Sequence, residues 1–281
     1  MIETKIIEEV IKPILKGEYS FKLKTDFLDL DCFLENIDKS SLIIIGSRPS
    51  MGKTAFINCI MTNLLEQNHR CLYFSLEMNI SQVIKRMISQ LAEIDSQRLK
   101  NLSLNDNQKD KIIKIAKHIE NFDLFLYDNC YDINSIKLII EQTKPEYVFI
   151  DYLQLFDTLI EQPSTQIFEN VIKELKSIAK QNNCMIFVTS QLSKAIENRS
   201  NKRPKLSDLR ECRGIVNTAD VVIFIHRDEF CNPGNIEDYS YDKREADIII
   251  ARNKFGAIGT ITLLFKSEFA KFYNPIISCE F

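Results

Sequence analysis

An apolar run, Leu42–Ile45, passes without interruption through GSRPSMGKT into the helix-forming stretch AFINCIMTNLLEQ. No other feature narrows the fold so far. A glycine-bearing turn between a buried strand and a helix aims loop N–H groups and the positive helix end at one point, and that point suits a phosphate. The loop is expected to comprise Ser47, Arg48, Pro49, Ser50, Met51, Gly52, Lys53 and Thr54. In that setting Lys53 reaches the outer phosphates of a nucleoside triphosphate and the Thr54 hydroxyl holds Mg²⁺. Loops of this kind usually carry Gly or Ala where Ser47 stands, and a small residue still fits.

Downstream, short β-rich runs alternate with helical stretches of roughly 12 to 18 residues, as in a parallel sheet covered by helices. Strands are expected at Leu42–Ile45, Leu72–Leu76, Tyr147–Asp151, Met185–Thr189, Val221–Ile225, Asp247–Ala251 and Thr260–Phe265. Their continuous apolar character implies burial on both faces. Helices are expected at Gly52–Glu66, Ile80–Ala92, Asp106–Asn121, Ile133–Thr143 and Gln166–Gln181, each bounded by polar, Asn-rich or Pro-containing stretches. The fold class is therefore α/β, a twisted and mainly parallel sheet flanked by helices, in one domain over residues 19–281. Ahead of it, Ile2, Ile6, Ile7, Val10, Ile11 and Ile14 form a stripe at helical spacing that Pro13 should kink or end.

Three strand ends deliver candidate chemistry. YVFID ends in Asp151, a carboxylate at the C-terminal edge of a buried strand, where it suits support of a phosphate-bound Mg²⁺. LYFSL is followed by Glu77, at the edge where ligands gather in open α/β sheets, and this residue can orient and deprotonate an attacking water. MIFVTS delivers Gln191 to the same edge, where an amide can sense a terminal phosphate. Taken alone, each is also compatible with a helix cap or a solvated turn.

Composition excludes more than it assigns. With 36 basic and 39 acidic side chains the net charge is -3, so the chain is no indiscriminate polyanion binder. One segment departs from that balance: Lys194–Arg213 sets Lys194, Arg199, Lys202, Arg203, Lys205, Arg210 and Arg213 against Glu197, Asp208 and Glu211, seven minus three, or +4. The 8 cysteines contain no CxxC pair and the 3 histidines no ligand grouping, which points to reduced thiols and no metal cluster. No apolar run approaches the roughly 18 residues of a membrane span.

Taken together, GSRPSMGKT, LYFSLEM, VFIDYLQL, VTSQLSKAIENR, KRPKLSDLRECRGI, TADVVIFIHRDE and ARNKFGAIGTITLLF resemble the ordered motifs of the DnaB-type replicative helicase family, over roughly residues 25–266. FSLEM, IDYLQL and KRPxxSDLRE are more specific than the phosphate loop, since the RadA and KaiC types differ there. The resemblance implies a RecA-like P-loop NTPase that uses ATP and Mg²⁺, with Lys53 and Thr54 on phosphate and metal. Glu77 is then the catalytic carboxylate, Asp151 the metal support and Gln191 the link between nucleotide state and DNA. It also implies a homo-hexameric ring that moves 5′ to 3′ on single-stranded DNA and unwinds forked duplex, with primase and a helicase loader as partners. Lys194, Arg199, Lys202, Arg203, Arg210, Glu211 and Arg213 would face the strand in the ring channel. No membrane partner is implied; the compartment is the bacterial cytoplasm or a plastid.

The chain also departs from the family. Where the usual order is lysine, any residue, arginine, this sequence has Arg252, Asn253 and Lys254, and the two cations are not equivalent donors. The pair is expected to complete a neighbour's site in trans with altered turnover. Cys212, Arg213 and Gly214 displace a glycine usual in the DNA loop, and DTLIEQPSTQ, after Asp151, carries no cation. Residues 1–18 fit a linker helix docked on an adjacent subunit, with the family's separate N-terminal helical domain absent. Two other functions stay open: a truncated or degenerate DNA-binding copy, and a RecA/RadA-like recombination ATPase without unwinding.

Overall fold

A computed structural model of the protein describes residues 21–130, 132–153, 165–209, 212–228 and 244–275. The stripe Ile2–Ile14 lies outside them. Helices are α1 (Leu28–Phe33), α2 (Lys53–Glu66), α3 (Ile80–Ala92), α4 (Ser96–Lys100), α5 (Asp106–Ile119), α6 (Ile133–Thr143), α7 (Thr165–Asn182) and α8 (Cys212–Thr218). Strands are β1 (Leu42–Ser47), β2 (Cys71–Ser75), β3 (Leu124–Tyr127), β4 (Tyr147–Asp151), β5 (Met185–Gln191), β6 (Val221–His226), β7 (Glu245–Asn253), β8 (Gly259–Lys266) and β9 (Lys271–Tyr273).

The strands form a single sheet in the order β3-β2-β4-β5-β1-β6-β7-β8-β9. From β3 to β6 all pairs are parallel, and from β6 to β9 all are antiparallel. The mainly parallel α/β fold expected from the sequence is thus present. Side chains of the parallel strands alternate between two cores, with Ile43, Tyr73, Phe149, Phe187 and Ile223 on one face. Leu42, Leu72, Val148, Ile186 and Val222 sit on the other. Helices α2 and α3 cover the first face, and α6, α7 and α8 the second. This two-sided burial is why the strands read as continuous apolar runs rather than alternating ones.

Local chemistry sets the helix starts. Asn79 and Gln82 cap α3 reciprocally, and Asn105 and Gln108 do the same for α5. The Asp132 side chain accepts from Ser135 N at the start of α6. The strands β3 and β9 and the short helices α1, α4 and α8 are additional to the expected elements. Every residue of β3 is only half-buried, because β3 is the sheet edge and packs from one side.

β1 lies between β5 and β6, with Leu42–Ile45 fully buried. Its Gly46 faces the Phe224 ring so closely that an added Cβ would come within 2.8 Å of it. Gly46→Ala is expected to destabilise the fold by about 1–3 kcal/mol through overpacking, read as a lower urea midpoint. The double variant Gly46→Ala/Phe224→Leu should recover part of that loss by shrinking the opposing ring.

Candidate nucleotide-binding site

β1 ends at Ser47, where the chain turns through the loop into α2. Gly52 caps that helix at φ 97°, a backbone conformation that favours glycine, and its Cα faces the Phe272 and Phe265 rings. The loop lines a cavity of about 570 Å³ together with Glu77, Gln191, Tyr152 and residues of α3 and β8. Lys53 projects into it with its Nζ 4.9 Å from the centre of the Tyr152 ring. Burial pulls the Lys53 ammonium below the usual lysine range, against the opposing pull of the Asp151 and Glu77 carboxylates.

Asp151 anchors the floor. Its Oδ2 accepts from Thr54 Oγ1 at 2.6 Å and from Tyr73 Oη at 3.3 Å, while Oδ1 accepts from Thr189 Oγ1. Four elements, α2, β2, β4 and β5, therefore meet at one carboxylate that is 1% exposed. The adjacent Thr54 hydroxyl and Asp151 carboxylate are hard oxygen donors, the set a phosphate-bound Mg²⁺ prefers. Glu77 is exposed at the cavity mouth, just past β2, where Leu76 N donates to Asp151 O at 2.8 Å. Gln191 pairs in register with Ser47, which sets the β5 amide beside the loop.

Lys53, Thr54, Glu77, Asp151 and Gln191 are therefore gathered as expected. Reading the sequence missed Met78, Gln82 and Arg86, which line the same cavity from the start of α3. Their four-residue spacing after Glu77 puts them on one helical face, and that periodicity is the clue that finds them. Phe265 and Ala270 close the cavity from the β8–β9 turn. The Gln90 side-chain amide steadies that turn, donating to Ala270 O at 2.6 Å and to Ala55 O of α2 at 3.2 Å.

The DnaB-like helicase C terminal domain family model matches residues 22–274. The chain belongs to this DnaB-like family. It is similar to a probable replicative DNA helicase of Trieres chinensis, 39% identical over 95% of this chain and 59% of that protein. To the replicative DNA helicase DnaB of Helicobacter pylori (strain 26695) it is 33% identical, over 91% of this chain and 60% of that protein. The chain thus spans about 60% of the length of these curated relatives. Among solved structures, one ATPase domain superposes with a TM-score of 0.88 at 29% identity, covering 98% of this chain and 100% of that one. A DnaB-like replicative helicase, solved in a study of its interactions with primase, gives 0.85 at 28% identity, over 98% of this chain and 67% of that one.

In this DnaB-like domain the basic segment is a loop closed at its neck. Immediately after Gln191, Leu192 bridges Leu209 and Ser193 N donates to Asp208 O at 2.8 Å. Arg199 grips the buried Asp208 with both terminal nitrogens, at 2.9 and 2.8 Å, and Arg203 binds Asp247 at 2.6 Å. Lys194 is exposed and Lys202 half-buried. Arg210, Glu211 and the Arg213 side chain lie outside the described residues. Two of the cations expected to face DNA thus hold the loop together.

Arg48 of the phosphate loop pairs with Glu197 of this segment at 3.2 Å, joining the two regions directly. Arg252 and Lys254 stand elsewhere. They flank the start of β6, at the sheet edge opposite the cavity, so neither serves this subunit's own loop.

No helix among the described residues is long and apolar enough to cross a membrane, and among them no metal cluster forms and Cys32, Cys59, Cys71, Cys130 and Cys184 are free thiols. Arg199→Ala is expected to cost about 1–3 kcal/mol, because it strips the charged partner from buried Asp208. Lys194→Ala should stay within about 0.5 kcal/mol of the parent in the same denaturation measurement.

Proposed function

We infer that the chain is the ATP-hydrolysing motor of a replicative DNA helicase. The carrying observation is the contact of Thr54 with Asp151 at 2.6 Å, with Lys53, Glu77 and Gln191 around the same cavity. A hydroxyl and a carboxylate paired beneath a half-desolvated lysine form a site for a metal-bound triphosphate.

The loop N–H groups and Lys53 would hold the β- and γ-phosphates, and Thr54 with Asp151 would hold Mg²⁺, which would supply charge neutralisation at the phosphate oxygens. Glu77 orients a water for in-line attack on the γ-phosphorus and takes its proton, while the bond from that phosphorus to the β–γ bridging oxygen breaks and ADP leaves with the electron pair. Gln191 reads the γ-phosphate and passes its presence to the loop whose neck begins at Leu192. The Arg48–Glu197 pair gives the phosphate loop a second connection to that segment. Arg252 and Lys254 complete the site of an adjacent subunit, where a cation meets the charge growing on the transferred phosphoryl group.

The working form is a homo-hexameric ring whose basic loops face single-stranded DNA in a central channel, moving 5′ to 3′ and separating a forked duplex. Several copies of one modest loop then sum to a salt-sensitive grip, so the overall charge of -3 is no obstacle. Primase and a loader are its partners, and it works in the compartment that holds its DNA, bacterial cytoplasm or plastid. The set of acidic and basic residues at the cavity speaks against a degenerate copy that only binds DNA.

Glu77→Gln is expected to lower ATP turnover by about 10²–10⁴-fold while nucleotide binding persists, because only proton transfer is removed. Unwinding of a fork with a 5′ tail should be lost in parallel. ATP turnover by the native chain equal to that of Glu77→Gln would support the degenerate copy. DNA-stimulated turnover without strand displacement would support a recombination-type ATPase.

A further inference from the structure

At the sheet edge opposite the cavity, Asp220 precedes β6 with its side chain 5% exposed. It accepts from Leu42 N at 2.8 Å, from Lys176 Nζ at 2.6 Å and from Lys254 Nζ at 2.9 Å. Burial alone would raise its pKa, but the bonds from Lys176, Leu42 and Lys254 outweigh it and hold the carboxyl below the usual range. Asp220 thus bonds two ammonium groups at once, while the nearby Asp38 carboxylate also acts on Lys176. Lys176 is 15% exposed and Lys254 36%, so of the two ammonium groups Lys254 is the one open to the outside.

The backbone is tied to the same point. Lys254 N donates to Asp220 O at 3.0 Å, Asp220 N to Leu42 O at 3.0 Å, and Lys254 Nζ also reaches Thr218 O at 3.3 Å. The register between β6 and β7 slips at Val222/Ile223, beside Arg252 and two residues before Lys254. Leu42, the residue bonded to Asp220, opens the strand that ends in the phosphate loop about 16 Å away along a buried backbone.

We propose that Asp220 is a positioning residue for ATP hydrolysis at the neighbouring subunit's site, holding Lys254 in place and anchoring it to the strand that carries this subunit's own phosphate loop. This rests on the trans role given to Lys254 above. Lys254 Nζ makes two bonds within the subunit and an ammonium has three N–H donors, so the exposed Lys254 can meet a phosphate oxygen without leaving Asp220. A ring interface that shifts Lys254 pulls at the same time on β1, which links adjacent nucleotide sites mechanically.

The test is steady-state ATP turnover of the full chain with single-stranded DNA, for Asp220→Asn and Lys254→Ala, each alone and mixed with Glu77→Gln. Asp220→Asn should lower kcat by about 10- to 100-fold with KM and ATP binding unchanged. It retains an intact Glu77, while Glu77→Gln retains an intact Asp220 and Lys254. Mixed rings should therefore turn over faster than the two separate preparations combined, as should the mixture with Lys254→Ala. Recovery with Lys254→Ala but not with Asp220→Asn overturns the anchor and leaves the trans reading standing. Parental turnover by Lys254→Ala alone overturns both. If Asp220→Asn fails to fold, Asp220→Glu keeps the charge but displaces it by one methylene, and should still lower kcat at constant KM; parental kcat would overturn the anchor.

Discussion

A carboxyl group buried at 1% exposure has to find hydrogen-bond donors inside the protein, and Asp151 draws them from three elements besides its own strand. Thr54 comes from the first turn of α2, Tyr73 from β2 and Thr189 from β5. None of these hydroxyls is near Asp151 in sequence, so the contact exists only when β2, β4 and β5 are in correct register and α2 lies over them. The sheet order and the site are thus coupled. A slip of one residue in β4 would turn Asp151 to the opposite face and leave three hydroxyls without their acceptor.

The parallel part of the sheet separates its polar work between its two ends. Apolar side chains fill the middle of each strand on both faces, including the Tyr73, Phe149 and Phe187 rings, with Phe149 and Phe187 stacked at 4.9 Å. Polar groups are therefore confined to strand ends. At the C-terminal edge stand Ser47, Glu77, Asp151 and Gln191, and at the N-terminal edge Asp220 with Lys176 and Lys254. The stiffness of close-packed strands lets a displacement at one edge be felt at the other rather than absorbed between them.

This division is also why part of the site was legible in the sequence and part was not. Glu77, Asp151 and Gln191 each follow a continuous apolar run, and the end of such a run fixes both the depth and the edge of the next residue. Strand β3 escaped although LFLY is as continuous a run as Leu42–Ile45; its four residues are half-buried at the sheet edge. Gln82 and Arg86 share one helical face with Met78 by their four-residue spacing, but that spacing does not say what the face meets; the packing of α3 does. The basic segment was legible only in part. Counting charge over Lys194–Arg213 gives sign but not partner, and the acceptor of Arg203 is Asp247, 44 residues along the chain. Arg199 finds Asp208 within the segment, yet only the closure at Leu192 and Leu209 brings the two together.

The exchange of cations at Arg252 and Lys254 has a physical counterpart in the Asp220 cluster. Both side chains have about 2 kcal/mol of rotamer freedom to lose, but an arginine brings a planar fork that loses less per bond formed, whereas a lysine is a point charge on a flexible stem. A lysine used in place of an arginine gains most from being ordered in advance. Asp220 and the Thr218 carbonyl supply that order by fixing Nζ in two directions, and Lys176 shares the same carboxylate. Arg252 is held among the described residues through Nε to Ala219 O at 3.3 Å, which leaves the far end of its guanidinium to point elsewhere. The compact cation is therefore the one fixed to the sheet, and the forked one is the adaptable member of the pair.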